Sequence, residues 1–210
     1  MDFIQERKMF KHVKILFFLI FFMVNSMHAK ERPVYVKYVH EIVNEYIKEM
    51  ESEHGLHCIG SGGGMPKDVE EVGVMFTIQK KVTSLEEARE LEIAAIQKLL
   101  NHINNHPKIR PYLREYPFKY DRVEISISFT DENNQRYTDG SIVYMYQARN
   151  KIFYKKAKEY IDKGYQITHP HTNEVYTVPD REATKLMDYY DEPYEEAKKK
   201  VKSLPKTKSY

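Results

Sequence analysis

The stretch RVEISISFT, from Arg122 to Thr130, constrains this chain more than any other. Val123, Ile125, Ile127 and Phe129 alternate without exception with Glu124, Ser126, Ser128 and Thr130. Side chains of an extended strand point to opposite faces with a period of two, so this run makes a strand with one dry face and one wet face. The dry face requires a covering layer, and the sequence supplies one just upstream. In TSLEEARELEIAAIQKLLNHINNHP, Ser84 and Glu87 stand in capping-box spacing, Ala88, Leu91, Ala95, Leu99 and Ile103 form a helical stripe, and Pro107 closes the pattern.

The rest of the chain extends this two-layer plan. Pro33 opens a helix whose stripe is Val36, Val39, Val43, Tyr46, Ile47 and Met50, and Gly55 caps it. Leu56–Ile59 is a short apolar piece, and Val72–Gln79 alternates as a second strand. SIVYMYQ is a third, with KIFYKK returning as a hairpin across ARN. KKAKEYIDKG reads as a helix capped by Gly164, and YQITHPHTNEVYTV as extended chain or loop. EPYEEAKKKVKS reads as a last helix, with acids at its start and lysines at its end, as the helix dipole favours. The expectation is an α+β fold, an antiparallel sheet with helices packed on one face, ferredoxin-like in outline. The domain division is 1–29 leader, 30–55 amphipathic helix, 56–178 core, and 179–210 C-terminal helix with a basic tail.

Residues 1–29 have the tripartite form of a secretory signal. Arg7, Lys8, Lys11 and Lys14 precede an apolar run from Ile15 to Val24, too short by itself to span a bilayer. Cleavage after Ala29 fits the distance to the charged residues that follow, and cleavage after Ser26 is the alternative. The chain is therefore expected to be exported, periplasmic or secreted, with no membrane contact after cleavage. An uncleaved anchor would still leave the domain outside the cytoplasm, because the basic flank stays inside. The chain carries 33 basic and 31 acidic residues, and the leader's four basic and two acidic residues account for the whole excess. What remains is neutral, which argues against a nucleic-acid partner.

Cys58 is the single cysteine, so an exported chain has no internal disulfide. It sits in HCIGSGGGMPKDVEEVGVMF, beside a glycine cluster that invites a phosphate-loop reading. That reading fails on residues. Lys67 follows Pro66 and is followed by Asp68, where a P-loop needs glycine before the lysine and Ser or Thr after it. A strand, not a helix N-terminus, comes next. The cluster reads instead as a strand end or turn, where glycines let a backbone or ligand approach closely. Gly60, Gly62, Gly63 and Gly64 are accordingly assigned to ligand or partner approach. Tyr144 and Tyr146 are assigned with them, from a Tyr-rich second half in which Tyr137, Tyr154, Tyr160, Tyr165 and Tyr176 are further candidates for either a recognition face or the core of a Trp-free domain.

Catalytic and metal motifs are incomplete. Cys58 has His57 beside it, but neighbours on a strand point to opposite faces. A thiol mechanism would need a distant base such as His169 or His171. His169 and His171 in THPHT, and His102 and His106 one helical turn apart, each supply two of the three or four ligands that zinc takes. Glu70–Glu71 and Glu86–Glu87 read as solvated surface pairs. No cofactor is implied.

GSGGGM, SLEEAREL, LNHINNHPKIRPYLREYPF, VEISISF and EPYEEAKKKV together resemble a group of small uncharacterised exported proteins from host-associated bacteria. The resemblance covers Leu56 to about Tyr154 and, more weakly, the last helix. It implies a secreted α+β domain with a glycine-rich segment and supplies no catalytic residues. The leading expectation is a non-catalytic binding or interaction domain with a protein partner. The alternatives are a small hydrolase or transferase using Cys58 with His169 or His171, and an envelope protein binding metal through those two histidines.

Overall fold

The computed structural model of the protein describes residues 33–161, 166–168, 175–177 and 182–203. The elements run α1 (Val34–His54), β1 (His57–Gly62), β2 (Val72–Gln79), α2 (Leu85–Asn105), β3 (Val123–Thr130), β4 (Ile142–Ala148), β5 (Lys151–Ile161), β6 (Gln166–Thr168), β7 (Val175–Thr177), β8 (Glu182–Pro193) and α3 (Tyr194–Ser203). Six strands form one sheet in the order β1-β2-β3-β4-β5-β8, and β6 pairs with β7 separately. The class is α+β, with helices packed against a mostly antiparallel sheet.

Three features depart from expectation. β2 and β3 run parallel, from Val72 beside Val123 to Gln79 beside Thr130. The helix α2 connects them, and a helical crossover returns the chain in the same direction. Main-sheet neighbours follow chain order, without the interleaving of a ferredoxin-like sheet. KKAKEYIDKG is not a helix where it is described. Residues through Ile161 continue β5, which pairs with the unforeseen strand β8 from Lys151 beside Pro193 to Ile161 beside Glu182. Lys, Ala and Glu favour helix locally, but eleven residues of cross-strand pairing override that preference.

The alternation read in β3 is realised. Val123, Ile125, Ile127 and Phe129 are buried, and they meet Val72, Val74 and Phe76 of β2 and Met145 of β4 on the same face. That face is covered by the buried stripes of α1 (Tyr35, Val39, Ile42, Val43, Tyr46, Met50) and α2 (Ala88, Ala95, Ile96, Leu99, Ile103). The Tyr46 ring meets Phe76 edge-on at 5.7 Å, and its hydroxyl donates to the Ala95 carbonyl at 3.1 Å, tying the two helices together. The helix start is as read, with the Ser84 hydroxyl accepting from the Glu87 amide at 3.0 Å.

The core also holds charge. Arg89 of α2 donates to Glu192 of β8 at 2.6 Å, with both side chains buried. The Tyr154 hydroxyl donates to the same carboxylate at 3.1 Å, and Lys200 of α3 reaches its other oxygen at 2.6 Å. Burial opposes ionisation of Glu192, but the hydrogen bonds from Arg89 and Lys200 outweigh it and hold the carboxyl below its usual range. One turn along α2, Glu92 is fully buried, and neither carboxyl oxygen has a hydrogen-bond partner among the described residues. Desolvation pushes its carboxyl well above the usual range, so the core holds it as a neutral acid.

Candidate functional site: the uncovered face of the sheet

Among the described residues no helix covers the wet face of the sheet. One register row crosses it through Gly60, Met75, Ser126, Tyr146 and Phe153, on five successive strands. The residues on β1 to β3 are glycine, serine and one methionine, while those on β4 and β5 are aromatic. This contrast in size makes a trough. A cleft of about 540 Å³ lies there, with Gly62, Gly63 and Gly73 in its floor and Tyr144 and Tyr146 as its wall. The two tyrosine rings lie 5.5 Å apart and 27° from coplanar. Phe153 stacks on Tyr146 at 4.9 Å and 12° and braces it from β5. Lys155 stands 5.5 Å from the Tyr146 ring and is bound to Asp188 at 2.7 Å.

The glycine cluster works as close-approach backbone. Gly64 donates to the Glu71 carbonyl at 3.1 Å, and its own carbonyl accepts from Glu70 and Glu71 at 2.9 and 3.3 Å. These bonds fold the β1–β2 connection back on itself. Gly63 lies so near the Glu71 carbonyl that a Cβ would overlap it, whereas a Cβ at Gly62 would meet nothing. A Cβ at Gly60 would come within 2.7 Å of the Met75 methyl group, which is free to swing aside. Gly63→Ala is therefore expected to open this connection and cost about 1–3 kcal/mol, whereas Gly62→Ala leaves the loop intact. Chemical denaturation of the two variants checks this contrast.

The loop delivers one side chain to the cleft that mattered little in the sequence. Glu71, read as half of a surface pair with Glu70, lines the cleft together with Glu124. Their carboxyls lie within hydrogen-bonding reach of one another. Burial first, and the charge of Glu124 second, raise the Glu71 carboxyl above its usual range. The nearby guanidiniums are engaged elsewhere. Arg114 holds Asp68 and Glu70, and Arg122 holds Glu115 at 3.2 Å. Alternation alone places Glu124 on the wet face. Its meeting with Glu71 needs the parallel register of β2 and β3, which local pattern does not carry.

The other sequence candidates lie apart from this cleft. Cys58 pairs across the strands with Phe76 and packs against the core. Its thiol donates to the Gly60 carbonyl at 3.5 Å, and no imidazole among the described residues is hydrogen-bonded to it. His57 binds Glu51 at 3.0 Å. His102 binds Glu49 at 3.2 Å, while His106 packs 5.9 Å from Tyr38 with its Nδ1 buried and unpartnered. His169, His171 and Tyr165 lie outside the described residues, as do the side chains of Tyr160 and Tyr176 and the leader. Tyr154 is core, and Tyr137 sits under Lys81 at 5.7 Å. Among the described residues no three His, Cys, Asp or Glu side chains are grouped to hold a metal ion. No described helix is long and apolar enough to cross a membrane.

No family model matches the chain, and neither a curated protein nor a solved structure matches it.

Proposed function

We propose that this chain is an exported, non-catalytic binding module whose occupant seats on the uncovered sheet face, between the glycine floor and the wall of Tyr144 and Tyr146. The observation that carries the reading is the convergence there of Gly62 and Gly63, at the end of β1, with Tyr144 and Tyr146 of β4, in one cleft of about 540 Å³. Cavities of roughly 300–1,000 Å³ hold small ligands or the anchoring group of a larger one. Tyrosine suits such a wall because it supplies wide apolar contact at low cost in side-chain entropy. Export is supported by the leader's sequence. The reading is non-catalytic because, among the described residues that line the cleft, neither Ser61 nor Ser126 is hydrogen-bonded through its hydroxyl to a carboxylate or an imidazole. Cys58 packs toward the opposite side of the sheet.

The test is retention of the exported chain by the envelope and medium of the producing cells, measured after chemical crosslinking. Tyr144→Ala combined with Tyr146→Ala is expected to lower retention about tenfold or more, because aromatic anchors of a binding site each contribute ~1–2 kcal/mol or more. Cys58→Ser is expected to leave it unchanged. Turnover of any substrate that disappears in Cys58→Ser would overturn the reading.

A further inference from the structure

The reading of the cleft as a binding site can be taken to a ligand class by its charge. Among the described residues that line it, Glu71 and Glu124 alone are charged. Arg122 acts on Glu71 through space but is ion-paired with Glu115 at 3.2 Å, Arg114 is held by Asp68 and Glu70, and among the described residues no lysine or arginine forms an ion pair with Glu71 or Glu124. Two carboxyls thus share one end of the trough, Glu70 adds to the negative charge there, and no described cation lines it. The aromatic wall runs beside it, and Tyr146 already accepts a cation near its ring in Lys155, at 5.5 Å. The floor further restricts the occupant. β2 and β3 are each paired on both sides, so their backbone amides and carbonyls are used within the sheet. A peptide lying across this floor would lose backbone hydrogen bonds that the site does not replace. A small ligand with a charged head and a hydrocarbon body has no such loss.

We propose that the cleft binds a small organic cation of the alkylamine class, with an ammonium between Glu71 and Glu124 and its methylene chain along Tyr144 and Tyr146. The ammonium supplies the positive charge that relieves two opposed carboxylates, and its donors match their acceptor oxygens. The methylenes cover tyrosine rings that are otherwise wet. A cation between the two carboxyls favours the ionised form of Glu71, so affinity rises as pH rises through the Glu71 titration.

Titration calorimetry of the exported chain with putrescine and with spermidine, at low salt, tests the proposal, which rests on the binding reading above. The expected result is saturable binding of both amines, with none for uncharged butanediol. Glu71→Gln combined with Glu124→Gln is expected to weaken binding about tenfold or more, at ~1.4 kcal/mol per decade. Glu195→Gln, an acid on α3 outside the cleft, is expected to leave it unchanged. Absence of saturable binding by the wild-type chain, or equal weakening by Glu195→Gln, overturns the amine proposal. So does a short lysine peptide that outcompetes spermidine, which would point to a basic peptide instead. If the amine fails while Tyr144→Ala with Tyr146→Ala still abolishes retention, the binding reading stands and this ligand class falls.

Discussion

Replacing Glu192 with alanine is expected to cost about 3–5 kcal/mol of unfolding free energy, the largest loss of any single change considered. The reason is what it leaves behind. Arg89 is buried against Glu192 at 2.6 Å, and without the carboxylate its guanidinium is a desolvated charge. The Tyr154 hydroxyl loses its acceptor, and Lys200 loses the contact that ties α3 to β8. The pH dependence follows from direction. The folded state holds the Glu192 carboxyl below its unfolded range, so its contribution is present above that range and is lost as pH falls through the lowered value. Urea denaturation at a series of pH values is expected to show this acid limb in the wild type and not in Glu192→Ala. A loss under about 1 kcal/mol at neutral pH would place the pair in the class of solvated surface bridges.

Glu92→Met is expected to act in the opposite sense and stabilise the domain by about 1–3 kcal/mol at neutral pH. Methionine has nearly the same length, fills the space and needs no hydrogen bond. Among the described residues neither a cation nor a hydrogen-bond donor is paired with Glu92, and desolvation alone raises its carboxyl. Its folded carboxyl lies well above the unfolded range, so the penalty linked to its ionisation is absent below that range and grows as pH rises toward the raised value. The advantage of Glu92→Met should therefore shrink in acid to the cost of burying the neutral, unpartnered carboxyl, and widen with pH by about 1.4 kcal/mol per unit within that window. A variant that is less stable at neutral pH, or an advantage that ignores pH, would mean that Glu92 has a partner in the folded protein.

The two clusters show where local pattern stops informing. The stripe of α2 was legible from Ala88, Leu91, Ala95, Leu99 and Ile103, but Arg89 and Glu92 looked like ordinary surface positions in a charged helix. They are buried because α2 lies between α1, the sheet and α3, and because β8 brings Glu192 to Arg89 across 103 residues. β8 itself was missed, as was the second half of β5. Their residues favour helix or loop locally, and their pairing with each other is the only signal that makes them strands. The uncovered face was more legible. Period-two alternation in β2 and β3 marked its small side chains, and the glycines marked the point of close approach. The meeting of Glu71 with Glu124 was not, since it depends on β2 and β3 being parallel.

The claim at the centre of this account is that the uncovered face, and not the helical one, carries the binding site. A photoreactive benzophenone side chain placed at Met75, which lines the cleft and is 49% exposed, tests it most directly against the same group at Glu90 on α2. Irradiated with the producing cells' envelope and medium, the Met75 position is expected to give a discrete mass increment. Unlabelled wild-type chain should compete it away, and chain carrying Tyr144→Ala with Tyr146→Ala should not. The Glu90 position is expected to give none. A saturable adduct at Glu90 with none at Met75 would contradict the account and move the site to the helical face.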